Sequence, residues 1–218
     1  MEKGNFFAID GCIGVGKTTI TKFISEKFGM ETMFEIVEEN PFLEKFYNDP
    51  KHWAFQTETF FLCNRYKQLQ EVMKSIQSGK NLVSDYHISK NLIFASLNLS
   101  EEENKKYKKL FNVFIEGFTH PNIIIYSEAS LEEILRRIKL RGRIIEKGID
   151  PNYLSDLINS YKKVMNFKNL EKRYPGVQMI KINANKVDFV ENPERLECLY
   201  NAVCKAMTDR ELKYQEIN

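Results

Sequence analysis

The stretch GCIGVGKTT, residues 11–19, fits the spacing GxxxxGK[ST]. Glycines at 11, 14 and 16 let the backbone bend so that successive N–H groups face one anion, and a helix opening at the lysine adds its partial positive charge. In such a loop Gly11, Cys12, Ile13, Gly14, Val15, Gly16, Lys17, Thr18 and Thr19 wrap a chain of phosphates. Lys17 reaches the β- and γ-phosphates, and Thr18 turns its hydroxyl to a magnesium ion. Asp85 closes the run NLVSD. It is either a second oxygen for that metal or a helix cap. NKVD at 185–188 matches the guanine-reading NKxD of GTPases. The DxxG such proteins carry after the third strand is DYHI here, so the match is a coincidence.

A phosphoryl donor needs an acceptor and a group to orient it. Glu35, Glu38 and Glu39 stand at the end of the next apolar run, MFEIV, where a carboxylate can reach a hydroxyl beside the phosphates. Alternation sets Glu35 opposite Phe34 and Ile36, an odd place for a charge in a buried strand unless it is used. The alternative is an edge strand with a solvated glutamate. Further on, WAFQTETFFLCNRYKQL has helical spacing, with Glu58 and Arg65 two turns apart among Phe55, Phe61 and Leu62. An acid and a guanidinium on an aromatic face suit a planar ligand. They are otherwise ordinary charges on an amphipathic helix.

These residues require elements to hold them. FFAID (6–10), MFEIV (33–37), NLVSD (81–85), NIIIY (122–126) and VQMIKI (177–182) read as buried strands, with helical patterns between them. That alternation predicts an α/β fold, a parallel sheet covered by helices on both faces. The 218 residues suit one domain, 1–218. LRGRIIEKGIDP (140–151) interrupts two helices and is expected to act as a lid. A net charge of +2 gives no bulk field for nucleic acid, and no charge-free run reaches the roughly 18 residues of a membrane helix. The N-terminus reaches a strand pattern at once, without a secretory leader, which predicts a cytoplasmic protein. Cys12, Cys63, Cys198 and Cys204 have no metal-binding spacing and are expected to be packing residues.

EIVEENPFLEKFYNDPKHWAF, FFLCNRYKQL, SDYHISKNLIFA and RIKLRGR, together with the phosphate loop, resemble the deoxynucleoside kinase family, most closely its bacterial deoxyguanosine kinase branch. The resemblance runs from about residue 5 to about residue 183. It implies a P-loop kinase fold with a five-stranded parallel sheet and an arginine-rich lid. It also implies transfer of the ATP γ-phosphoryl group to a nucleoside 5′-hydroxyl, and a homodimer, which we expect on helices 54–78 and 101–118. By this resemblance Glu35 is the general base on the 5′-hydroxyl, and Tyr47 and Glu146 hold the 3′-hydroxyl. Arg137, Arg141 and Arg143 clamp the transferring phosphate, and Phe94 stacks on the base. Many members carry an arginine after the third-strand acid, where it orients the general base. Here Asp85 is followed by Tyr86 and His87, so a phenol or imidazole takes that work or the role moves elsewhere. Several relatives read the base with glutamine. Glu58 only accepts, which with an Arg65 fork suits guanine, so deoxyguanosine is the expected substrate, with deoxyadenosine or deoxycytidine as the alternative within the family. Thymidylate-type kinases share loop, sheet and lid, but the acids of EIVEENP would repel a nucleoside monophosphate.

Overall fold

Phe6–Gly11 is buried at every position, and Ile123–Glu128 at all but the last. Strands apolar on both faces belong in the middle of a sheet that helices cover on either side. The computed structural model describes residues 3–37, 39–143 and 148–218. Among these, β1 (Phe6–Gly11), β2 (Glu31–Met33), β3 (Leu82–Ser84), β4 (Ile123–Glu128), β5 (Gln178–Asn183) and β6 (Tyr214–Ile217) form one sheet in the order β2-β3-β1-β4-β5-β6. Every pairing is parallel, with Phe7 between Val83 and Ile123. The chain runs outward from β1 to β2 and later crosses β1 to reach β4. Such a reversal leaves a crevice at the carboxyl end of the central strand.

Helices α1 (Lys17–Phe28) and α9 (Arg195–Thr208) cover one face of the sheet, around Phe7, Ile9, Ile125, Ile180, Leu199 and Val203. The other face carries α4 (Lys90–Asn98), α6 (Leu131–Arg141), α7 (Pro151–Val164) and α8 (Phe167–Arg173) over Ile124, Tyr126 and Met179. A further layer of α2 (Leu43–Asn48), α3 (Pro50–Gln77) and α5 (Glu101–Ile115) packs on α4 through Phe46, Leu62, Ala95, Tyr107 and Phe111. Among the described residues, no helix is long and apolar enough to cross a membrane.

Three expectations need correction. The sheet has six strands rather than five. β6 was missed because YQEI is short, and only Ile217 in it is buried. The second strand ends at Met33 and does not run to residue 37. Asp85 Oδ1 takes the Glu35 amide at 2.7 Å while the Asp85 amide donates to the Met33 carbonyl at 3.1 Å, so a side chain replaces the ladder and turns the chain out of the sheet. Of the cysteines only Cys12 is buried. Cys63 and Cys198 lie on the surface, so packing does not account for them. The lid expected over 140–151 begins where α6 stops at Gly142, in the left-handed region with φ 66°. Glu38 and Glu146 lie outside the described residues.

Helix α5 begins with a reciprocal cap. Ser100 Oγ accepts from the Glu103 amide at 3.4 Å, and the Glu103 carboxylate accepts from the Ser100 amide at 3.0 Å. Ser100→Ala should cost about 1 kcal/mol. Urea unfolding followed by circular dichroism is expected to show a lower midpoint at unchanged slope, and an unmoved midpoint would mean the cap adds nothing to α5.

Candidate active site

At the end of β1 the backbone passes through Gly11, Gly14 and Gly16, all at positive φ. A Cβ on Gly11 would stand 2.3 Å from the Ser127 carbonyl oxygen, so β4 leaves room there for glycine alone. Gly16, with φ 98°, is the N-cap of α1 and aims the amides that open the helix into the loop. Lys17 Nζ lies back over the loop, donating to the carbonyls of Gly11 at 2.9 Å and Cys12 at 3.0 Å. Burial, and after it the neighbouring Lys90, lower its pKa. Anionic oxygens would relieve both effects. Thr18 is exposed at the first turn of α1. Burial pushes the Cys12 thiol up to about 11, which leaves it unreactive at neutral pH.

Asp10, the residue before the loop, is wholly buried. Its Oδ1 accepts from the Gly11 amide at 2.8 Å and the Tyr161 hydroxyl at 3.2 Å, and its Oδ2 from the His87 amide at 3.3 Å. One carboxylate thereby joins the phosphate loop to the turn after β3 and to α7.

Glu35 follows β2 and turns its side chain inward. Arg65 Nη2 bonds Oε1, and Lys90 Nζ bonds Oε2 at 2.6 Å. All three side chains are at most 10% exposed. Burial alone raises the pKa of a carboxyl group. Here the charges of Lys90 and Arg65 outweigh it and hold Glu35 well below the usual carboxylate range. The cations beside Glu35 thus come from α3 and α4 and not from the residue after Asp85. Tyr86 and His87 do not touch the carboxylate. The Tyr86 ring lies 5.5 Å from the Arg65 guanidinium, with Phe61 at 5.0 Å, and its hydroxyl donates to Gln68 at 2.8 Å. His87 is buried, with Nδ1 accepting from the Ser89 amide at 3.3 Å and its pKa lowered to about 3 by burial.

Lys90 was not found in the sequence, although a signal existed. A lysine at the first position of a helix opposes the helix dipole and needs an acid nearby. Phe94 follows one turn later, half-buried, with its ring 5.5 Å from Lys90 Nζ.

Glu58 and Arg65 are not surface charges. The inward stripe of α3 is Ala54, Glu58, Leu62, Arg65, Leu69, Val72 and Ile76, so the two ions occupy positions that packing alone would fill with apolar residues. Glu58 is 3% exposed and accepts from Asn98 Nδ2 at 2.7 Å. Burial raises its pKa to about 7 against the opposing bond from Asn98. Arg65 Nε and Nη1 are buried with no partner among the described residues.

Other expected residues are exposed. Tyr47 is 38% exposed on α2, its ring beside Phe46, and Arg141 and Arg143 are exposed at the end of α6. Arg137 packs against the phosphate loop. It donates to the carbonyls of Val15 at 3.1 Å and Ala184 at 2.8 Å, and pairs with Glu133 at 2.5 Å and Asp188 at 3.3 Å. The NKVD segment therefore has a structural use. Asp188 braces Arg136 and Arg137, and Asn185 accepts from the Ser130 amide at the start of α6. Among the described residues no cluster of three or more His, Cys, Asp or Glu could hold a metal alone. Asp85 holds the Glu35 amide through Oδ1.

A phosphate loop facing a clamped carboxylate and a buried acid–guanidinium pair can be compared with known proteins. The family model described as deoxynucleoside kinase matches residues 7–208. The chain belongs to the deoxynucleoside kinase family. This deoxynucleoside kinase is 43% identical over 198 residues to a deoxyguanosine kinase of Bacillus subtilis (strain 168), covering 90% of this chain and 95% of that protein. It is 29% identical over 221 residues to a deoxyadenosine/deoxycytidine kinase of the same organism, covering 98% of each. The solved structure of a deoxyadenosine kinase from M. mycoides with bound dATP superposes with a TM-score of 0.75 at 29% identity, covering 90% of this chain and 99% of that one. The kinase fold expected for the sheet is thereby shown.

The Glu35 cluster sets a pH dependence of stability. A carboxylate with a depressed folded pKa stabilises the fold above its unfolded value, and that stability is lost as pH falls toward the folded value. Lys90→Met brings the folded pKa of Glu35 back toward normal. Its acid-unfolding midpoint should lie at higher pH than in the wild type, with Lys90→Arg in between. Coincident acid-unfolding curves for all three would show that the ion cluster is not formed in solution.

Proposed function

We propose that this deoxynucleoside kinase transfers the γ-phosphoryl group of ATP to the 5′-hydroxyl of deoxyguanosine, giving dGMP and ADP. The observation that carries the substrate is Glu58, a carboxylate on the buried stripe of α3 with Arg65 two turns away. Guanine offers N1–H and N2–H₂ on one edge and the acceptors O6 and N7 on the other. Glu58 suits the first edge. The two unpartnered nitrogens of Arg65 suit the second, and pairing them removes the penalty of buried, unmet donors. The name of the 43% identical relative, deoxyguanosine kinase, points the same way.

Lys17 and the amides from Gly11 to Thr19 hold the phosphates. Glu35 accepts from the 5′-hydroxyl and aims it at phosphorus. Its low pKa makes it a weak base, which suits phosphoryl transfer, where catalysis is mostly positioning and the hydroxyl proton is lost late. Lys90 keeps the carboxylate fixed if Arg65 turns toward the base. Phe94 supplies a ring for the base, Tyr47 and Glu146 hold the 3′-hydroxyl, and Arg141 and Arg143 meet the transferring phosphate from the lid. Thr18 and Asp85 are hard oxygen donors on the two sides of the loop and fit Mg2+. When bound, that ion neutralises charge on the phosphate oxygens. We place a homodimer contact on the outer faces of α3 and α5, where Val113 is 67% exposed. We place the protein in the cytoplasm, whose reducing conditions suit four free cysteines.

Glu35→Gln keeps the shape and loses the charge, so kcat for deoxyguanosine should fall by roughly 10²–10⁴ with KM little changed. If kcat survives, Glu35 does not orient the hydroxyl. The base reading has its own test. Glu58→Gln replaces one acceptor oxygen with a donor NH₂, which fits adenine better than guanine, so kcat/KM should rank deoxyguanosine well above deoxyadenosine in the wild type and lose or reverse that order in the variant. An unchanged ranking removes Glu58 from base recognition.

A further inference from the structure

Glu58 is the only described carboxylate in the buried stripe of α3, and burial there favours the neutral acid. A neutral carboxylic acid has one O–H donor and one carbonyl acceptor, the same pattern as a glutamine amide. The identity of the base that fits therefore depends on which form the protein stabilises. Asn98, the last residue of α4, donates from Nδ2 to Glu58 Oε1 at 2.7 Å. An amide N–H donor stabilises the carboxylate and leaves Oε2 as an acceptor. Tyr153, on the first turn of α7, neighbours Asn98.

We propose that Asn98 is a specificity-determining positioning residue. Its bond to Glu58 holds that carboxylate in the acceptor-only form that guanine requires, and without it the position also takes bases that present an acceptor, such as adenine. The inference rests on the reading that Glu58 faces the base.

The other groups around Glu58 do not supply this control. Arg65, on the same helix, and Lys90 of α4 both favour the charged form, but their nearest bonds go to Glu35, which opposes it. From α5, Tyr107 donates to the Glu58 backbone carbonyl at 3.2 Å and not to the carboxylate. The Tyr153 hydroxyl stays neutral, its pKa raised by burial. The pKa of Glu58, about 7, leaves both forms within reach near neutrality. A change in one hydrogen bond then changes which form dominates.

The test is the pH dependence of a ratio, kcat/KM for deoxyadenosine over kcat/KM for deoxyguanosine. Both nucleosides present the same hydroxyl to Glu35 and the same ATP to the loop, so titration of those groups cancels. In the wild type the ratio should rise as pH falls and Glu58 takes up a proton. Asn98→Ala and Asn98→Leu both remove the donor without adding a charge, the second keeping most of the volume. In each the midpoint of the rise should move up by about one pH unit, from the strength of a hydrogen bond to a charged group. A lost packing contact would lower both activities without moving the midpoint. An unmoved midpoint in both variants, with Glu58→Gln still altering the ranking, overturns the role of Asn98 alone. If Glu58→Gln does not alter the ranking, the base reading fails and this inference fails with it.

Discussion

The carboxylate of Glu35, nearly closed off from water and gripped by Arg65 on one oxygen and Lys90 on the other, is the interaction on which the site depends. A lone carboxylate at that depth would protonate or destabilise the fold. Two cations make it affordable, and each comes from a different element. Arg65 rises from the middle of α3, Lys90 opens α4, and Asp85 at the end of β3 fixes the Glu35 backbone. Parts distant in sequence are thereby set around one point at the carboxyl end of the sheet, next to the phosphate loop.

On the proposed function the same cluster links the two ends of the nucleoside. Arg65 donates to Glu35 while keeping two nitrogens unpaired, and it lies between the rings of Phe61 and Tyr86 on the helix that also carries Glu58. A ligand acceptor on those nitrogens would draw on the guanidinium that restrains Glu35. On the proposed reading, base recognition and hydroxyl orientation share one side chain. Lys90 keeps the carboxylate held whichever way Arg65 turns. On the opposite side, Asp10 ties the phosphate loop to α7, the helix that leaves the lid segment.

The phosphate loop and most of the sheet were legible in the sequence because their signals are local. Three glycines at fixed spacing after an apolar run have few other uses, and strands buried on both faces read as unbroken apolar runs. Glu58 and Arg65 were legible as a pair from their seven-residue spacing. The clamp on Glu35 was not, because it joins positions 35, 65 and 90, and neither periodicity nor spacing connects elements that meet only after folding. The end of β2 was misread for a similar reason: the apolar run continues to Val37, and a side chain from β3 stops the ladder at Met33. Arg137 has partners that its position in the sequence could not show. Its spacing to Arg141 and Arg143 suggests one target, and Glu133, Asp188 and two carbonyls hold it against the phosphate loop.

The clamp itself can be measured in the free protein. Uniform 13C labelling of glutamate, with Glu35→Gln used to assign the Glu35 carboxyl signal, allows its ionisation to be followed by NMR as pH is lowered. We expect that signal to stay at the carboxylate position while ordinary glutamates titrate near about pH 4.3, and to move only as the fold itself is lost. A Glu35 signal that titrates with the others would mean that Arg65 and Lys90 do not hold the carboxylate, and the site would lose the interaction that organises it.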